Sequence, residues 1–230
     1  MNLWSEREKA LKGLQEELLE EGQLIDRAFQ QLEYIVQALD ASAEQAPFGR
    51  AAALVTAKAR SLAQGTYSLM LDGLGQEAGA GGRVWLEAIE LLTYLYQDPS
   101  RVAELWEGRL PPAGKRAKAI GGFSQPLRDF WNQSASHIGL EPDSWIHVIN
   151  WQTGRIKTRF SFSPKILRVN MRILFTMLIW NIHEAAMCLH HASGGISKAL
   201  AGQIDSLKDH GLRVFHGLPI EALSARTEAT

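Results

Sequence analysis

Residues 173–180 read ILFTMLIW, an apolar run interrupted only by Thr176. Ser163-Pro164 upstream supplies a helix cap and a first-turn proline. GlyGly at 194–195 supplies the stop. One long helix is therefore expected from Pro164 to His191, apolar on all sides in its middle. Such a helix belongs at the centre of a bundle. The run is shorter than the roughly 20 apolar residues that cross a bilayer, so no membrane partner is expected.

Outward from this centre the chain reads as helix after helix. From Leu11 a seam of Leu11, Leu14, Leu18, Ile25, Ala28, Leu32, Ile35 and Leu39 alternates gaps of three and four, broken only at Glu21. That pattern predicts one helix from Leu3 to Ala43, which needs a partner along its length: the rest of the chain or a second copy in a homodimer. Gly13 and Gly22 each cost it about 1 kcal/mol relative to alanine. Further helices are expected over 48–74, 83–96, 113–120 and 126–138, with Asp98-Pro99 capping a short one. The run GQEAGAGG (75–82) reads as a joint or as a helix start rich in small residues. A last amphipathic helix spans 196–211.

The period changes at Ser144. In SWIHVINWQTGRIKTRFSFSP (144–164) polar and apolar residues alternate, as in a half-buried strand. A two-residue loop at Thr153-Gly154 pairs Trp151 with Ile156, Ile149 with Thr158, His147 with Phe160 and Trp145 with Phe162 on one face. The expected fold is mainly α: a multi-helix bundle with one inserted β-hairpin. Its segments are the long helix (1–46), a helical bundle (47–143), the hairpin (144–163), and the central and last helices with a tail (164–230), together one domain.

Composition excludes several classes. The 230 residues carry 24 Lys+Arg against 25 Asp+Glu, so bulk charge does not make the chain a polyanion binder. A single cysteine, Cys188, forbids an internal disulfide and fits a reducing, cytoplasmic setting. Neither a P-loop, a GxGxxG after a strand, nor a GxSxG is present, and no cofactor is expected.

Charge is nevertheless segregated. Residues 1–47 hold ten acids and four bases, while 144–183 hold no acid at all. Arg155, Lys157 and Arg159 alternate along the hairpin, and Lys165, Arg168 and Arg172 follow at i, i+3, i+7 on the next helix. Two basic rows in succession form a binding surface for nucleic acid or an acidic protein, or they face the chain's own acidic first helix.

The stretch RDFWNQSASH (128–137) gathers an arginine, an acid, amides, hydroxyls and a histidine. Arg128-Asp129 followed by His137 resembles the signature of the HEPN group of bacterial all-helical proteins, many of them RNases. The resemblance implies RNA as substrate and Arg128, Asp129 and His137 as the catalytic set. Eight residues separate Arg128 from His137. Nine steps of about 100° place the two on opposite sides of a regular helix, so they converge only if the helix breaks between them.

A second resemblance covers 59–99, where Arg83 and Glu87, then Tyr94, Tyr96 and Asp98-Pro99, are similar to a family of uncharacterised bacterial helical proteins. It implies architecture without chemistry. An i, i+4 pair such as Arg83–Glu87 contributes about 0.3–0.5 kcal/mol on a helix surface.

IHEAAMCLHH (182–191) offers metal-ligand types: His183, Met187 and His190 on one stripe, Glu184, Cys188 and His191 on the next. The second histidine of HExxH is replaced by Met187, and one helix alone does not complete a zinc shell. The expected function is thus a non-enzymatic binding or self-association module. A HEPN-like nucleic-acid-associated protein and a metal-dependent enzyme centred on His183 are the alternatives.

Overall fold

The apolar helix does form the centre. In the computed structural model, which describes residues 4–42, 47–132, 149–150, 153–156 and 163–217, it runs from Pro164 to Ser193 and is here α8 in chain order. Leu174, Leu178, Ile182, Ala185 and Cys188 are fully or almost fully buried along it. Gly194 closes the helix in the left-handed conformation at φ 71°, the role for which a residue without Cβ is suited. The expected Ser163 cap is not made: its side chain accepts no hydrogen bond at the helix start. By length and hydropathy α8 passes as a membrane span, with a mean hydropathy of 1.3 over its best window. Yet 61% of that window is buried inside the protein.

Around α8 stand α2 (Leu19–Ser42), α3 (Pro47–Leu71), α4 (Gly75–Gln97) and α9 (Lys198–His216). The heptad seam of α2 is spent here: Ile25, Ala28, Leu32, Ile35 and Leu39 are each 0% exposed. α3 lies close against α4 because its inner face is alanine, with Ala51, Ala52, Ala59 and Ala63 fully buried. Side chains this small let two helix backbones approach, and alanine is also the best helix former. Ser197 caps α9 by accepting a hydrogen bond from the Leu200 amide at 3.1 Å.

The first helix is not continuous. α1 (Ser5–Glu16) ends where the Gly13 carbonyl accepts from both Glu17 N (2.8 Å) and Leu18 N (3.1 Å), and α2 restarts at Leu19. Gly13 weakens the helix at that point. Arg7 then anchors α1 to the end of α3, donating to both carboxylate oxygens of Asp72 at 2.6 Å.

Beyond α4, Asp98 accepts from the Ser100 amide at 3.2 Å and starts a 3₁₀ turn, Pro99–Arg101, as its Asp-Pro sequence leads one to expect. It runs into α5 (Val102–Trp106), followed by two short helices, α6 (Ala113–Ala119) and α7 (Gln125–Trp131), which pack on α4. The glycine-rich run at 75–82 is helix, not joint: it forms the first turns of α4.

The mainly α architecture stands; of the hairpin expected over 144–163 the described residues carry only one short antiparallel pairing. Among the described residues pairing is confined to β1 (Ile149–Asn150) and β2 (Arg155–Ile156), antiparallel, with Ile149 opposite Ile156 and Asn150 opposite Arg155. That register is two residues away from the expected Trp151–Ile156 pairing. The face expected to be buried is open at Ile156, which is 77% exposed. Trp145, His147, Trp151, Thr158, Phe160 and Phe162 lie outside the described residues.

Candidate functional site

α4 carries two arginine-binding carboxylates one turn apart, Glu87 and Glu90. Glu90 interrupts the apolar face formed by Trp85, Leu86, Ile89 and Leu92, and it is 0% exposed. A buried carboxylate without a counter-charge costs several kcal/mol. α7 supplies that charge. Arg128, 4% exposed, donates through Nε (2.7 Å) and Nη2 to the two oxygens of Glu90, and Ser124 Oγ donates to the same carboxylate. Burial by itself disfavours the charge on Arg128, but its bonds and proximity to Glu90, with Glu87 beyond, raise its pKa above the ordinary arginine value.

The glycines of α4 make this docking feasible. A Cβ on Gly82 would lie 3.0 Å from Trp131 Cζ2 and 3.2 Å from its Cη2. The indole of Trp131, itself buried, therefore lies directly on the α4 backbone. This contact brings Asn132, the next residue, to Arg83: Arg83 Nε donates to Asn132 Oδ1 at 3.1 Å while its Nη1 pairs with Glu87. Glu87 also faces Arg128, with Nη1 at 4.0 Å, beyond hydrogen-bond range. One carboxylate thus sits between two guanidiniums.

In front of this arrangement opens a cleft of about 470 Å³, lined by Arg83, Pro112, Gly114, Lys115, Lys118, Gln125, Arg128 and Asn132. α6 forms one wall and presents Lys115 and Lys118, both exposed. Behind it Arg116 donates to the Pro111 carbonyl at 2.6 Å, and burial pushes its pKa below the usual arginine value. Among the described residues four cationic side chains border the cleft, with the carboxylates of Glu87 and Glu90 beneath it. Among the described residues that line it there is no aromatic ring.

The sequence candidates distribute unevenly over this map. Arg83, Glu87 and Arg128 converge. Asp129 turns away, exposed, and accepts from Gln125 Nε2 at 2.7 Å. His137 lies outside the described residues, as do Lys157 and Arg159. Arg155 is exposed on β2. The second basic row does not act as a unit. Arg168 donates to the nearly buried Glu21 at 2.7 Å, joining α8 to the acidic α2, while Lys165 and Arg172 are exposed. Glu90, Ser124, Lys115 and Lys118 were missed. A lone acid in an apolar helical face, and the basic run AGKRAKA (113–119), were their signals.

The metal reading is not assembled: among the described residues no group of three His, Cys, Asp or Glu side chains could hold an ion. Glu184 is instead a buried acceptor for Thr93 Oγ1 (2.8 Å) and Trp180 Nε1 (3.1 Å), with His183 Nδ1 at 3.3 Å. Burial opposes its charge, but these donors win and its pKa falls below the usual carboxylate value. His191 packs edge-on to Phe48, ring centres 4.7 Å apart. Cys188 is buried, which raises its thiol pKa and leaves it a poor nucleophile.

Compared with known proteins, the chain matches no family model, no curated protein and no solved structure.

Proposed function

We propose that the protein is a binding module whose cleft between α4, α6 and α7 receives an anionic group. The observation that carries this reading is the convergence of Arg83 and Arg128 with Lys115 and Lys118 on one opening of about 470 Å³, a size within the range of small-molecule sites. Arg128 is held in place by a buried carboxylate rather than left to find its rotamer. Binding groups fixed in advance lose less entropy when the ligand arrives. Each carboxylate at the cleft is paired with a guanidinium, which suits positioning rather than proton transfer.

The HEPN-like alternative would place Arg128 against a scissile phosphate with His137 as acid–base partner. The bidentate commitment of Arg128 to Glu90 favours a holding role instead. Self-association through the seam of α2 has lost its motive, since α2 buries that seam against its own chain.

Titration of the full chain with inorganic pyrophosphate, followed by calorimetry, tests the proposal. Saturable binding that weakens with added salt is expected, because exchange of bound counter-ions accompanies anion contact. The double variant K115A/K118A should lose most of it while retaining its melting temperature. No heat of binding at millimolar pyrophosphate would overturn the reading.

A further inference from the structure

Glu87 occupies the position a ligand anion would need. Its carboxylate pairs with Arg83 Nη1 and stands 4.0 Å from Arg128 Nη1. Among the described residues, Arg83 Nη2 engages no hydrogen bond and Arg128 Nη1 reaches only Glu87. The two carboxylates differ in what holds them. Glu90 is fully buried, bound by Arg128 and Ser124. Glu87 is 31% exposed and joined by one guanidinium.

We propose that Glu87 is a resident counter-anion that the ligand displaces, and that the group recognised is therefore a terminal phosphate dianion rather than a phosphodiester or a carboxylate. This rests on the anion-binding reading of the cleft. The argument is one of charge exchange. A monoanion that displaces Glu87 replaces one negative charge with another and must also release that carboxylate into water, so it gains little. A phosphomonoester, whose second pKa is about 6, brings nearly two charges and three acceptor oxygens at neutral pH. It can bridge both guanidiniums in the bidentate manner that arginine favours, leaving Lys115 and Lys118 to meet the remaining charge. Glu90 stays in place throughout and keeps Arg128 aimed.

Two probes matched in size separate the possibilities: methyl phosphate, a dianion at pH 8, and dimethyl phosphate, a monoanion at every accessible pH. Their dissociation constants would be measured by calorimetry on the full chain, unmodified and as Glu87→Gln, with Glu87→Ala as a second variant. The unmodified protein should bind methyl phosphate about tenfold or more tighter than dimethyl phosphate, as one extra unit charge near two cations at a solvent-open cleft implies. Both variants should bind dimethyl phosphate more tightly than the unmodified chain does, narrowing that ratio, because no resident anion has to leave. Equal affinity for the two probes in the unmodified protein would overturn the inference while leaving anion binding intact. So would a variant that binds both probes more weakly. Failure of every protein to bind either probe would overturn the anion-binding reading itself.

Discussion

Arg128 and Glu90, 38 residues apart, meet as a two-point fork inside the protein, with 4% and 0% of their side chains exposed. The pair fixes α7 on α4 and with it the geometry of the cleft. Removing one partner of a buried ion pair leaves the other charge desolvated, which costs about 3–5 kcal/mol. Glu90→Gln should lower the unfolding free energy by an amount in that range, measured by urea denaturation. The double variant E90L/R128M should recover most of it, since apolar replacements leave no orphaned charge. A double variant less stable than Glu90→Gln alone would mean that the pair contributes net stability rather than position.

His183 gives a prediction with a defined sign. Its hydrogen bond with Glu184, partly offset by burial, raises the imidazole pKa above the ordinary value of 6.5. A raised histidine stabilises the fold most fully below the unfolded value and loses that contribution as pH climbs through the folded one. Glu184 acts in the opposite sense: its pKa is lowered, so its contribution is present above the ordinary carboxylate value and is lost as pH falls through the folded one. With the His183 side chain 61% exposed, the effect on stability is small. The sharper readout is an NMR titration of the imidazole. Its midpoint should lie above 6.5 in the unmodified chain and move down in Glu184→Gln. A midpoint unchanged by that substitution would show that the bond is not formed in solution.

The architecture was legible where local chemistry decided it. All-round apolarity marked α8 as the centre, and the glycine after it marked its end. The register of the strands was not legible, because a shift by two residues keeps every side chain on the same face and alternation cannot detect it. Glu21 could be seen to break the heptad seam, but its reason lies 147 residues away in Arg168. Spacing likewise revealed the Arg83–Glu87 pair and could not reveal Arg128 beside it, since that convergence depends on how α7 docks. The glycine-rich run at 75–82 read as a joint or a helix start for the same reason: Gly82 admits the Trp131 indole from another helix.

Gly211 of α9 faces the ring of Phe175 so closely that a Cβ at that position would overlap Cε1 and Cζ. Phe175 has no free path away, being buried and packed against Phe215 at 5.2 Å between ring centres. Gly211→Ala gains about 1 kcal/mol of helix propensity but overpacks this contact, at a cost of about 1–3 kcal/mol or more. The melting temperature should fall, and adding Phe175→Leu should restore part of the loss. Equal or higher stability in Gly211→Ala would show that α8 and α9 separate readily.

Gly82 tests whether cleft geometry depends on how α7 sits. A methyl group there would stand 3.0 Å from Trp131, a shortfall of a few tenths of an ångström that the indole must absorb by shifting outward. In the helix itself alanine is better than glycine by about 1 kcal/mol, so the two effects largely cancel in overall stability. They do not cancel at the site. Trp131 is adjacent to Asn132 and one turn beyond Arg128, so an outward shift of α7 carries both away from Arg83. The expected result for Gly82→Ala is a melting temperature close to that of the unmodified protein, together with methyl phosphate affinity reduced by about tenfold, equivalent to ~1.4 kcal/mol. Lost affinity with lost stability would point to general loosening of the bundle. Retained affinity would mean that the arginines reach the ligand without the indole contact to place them.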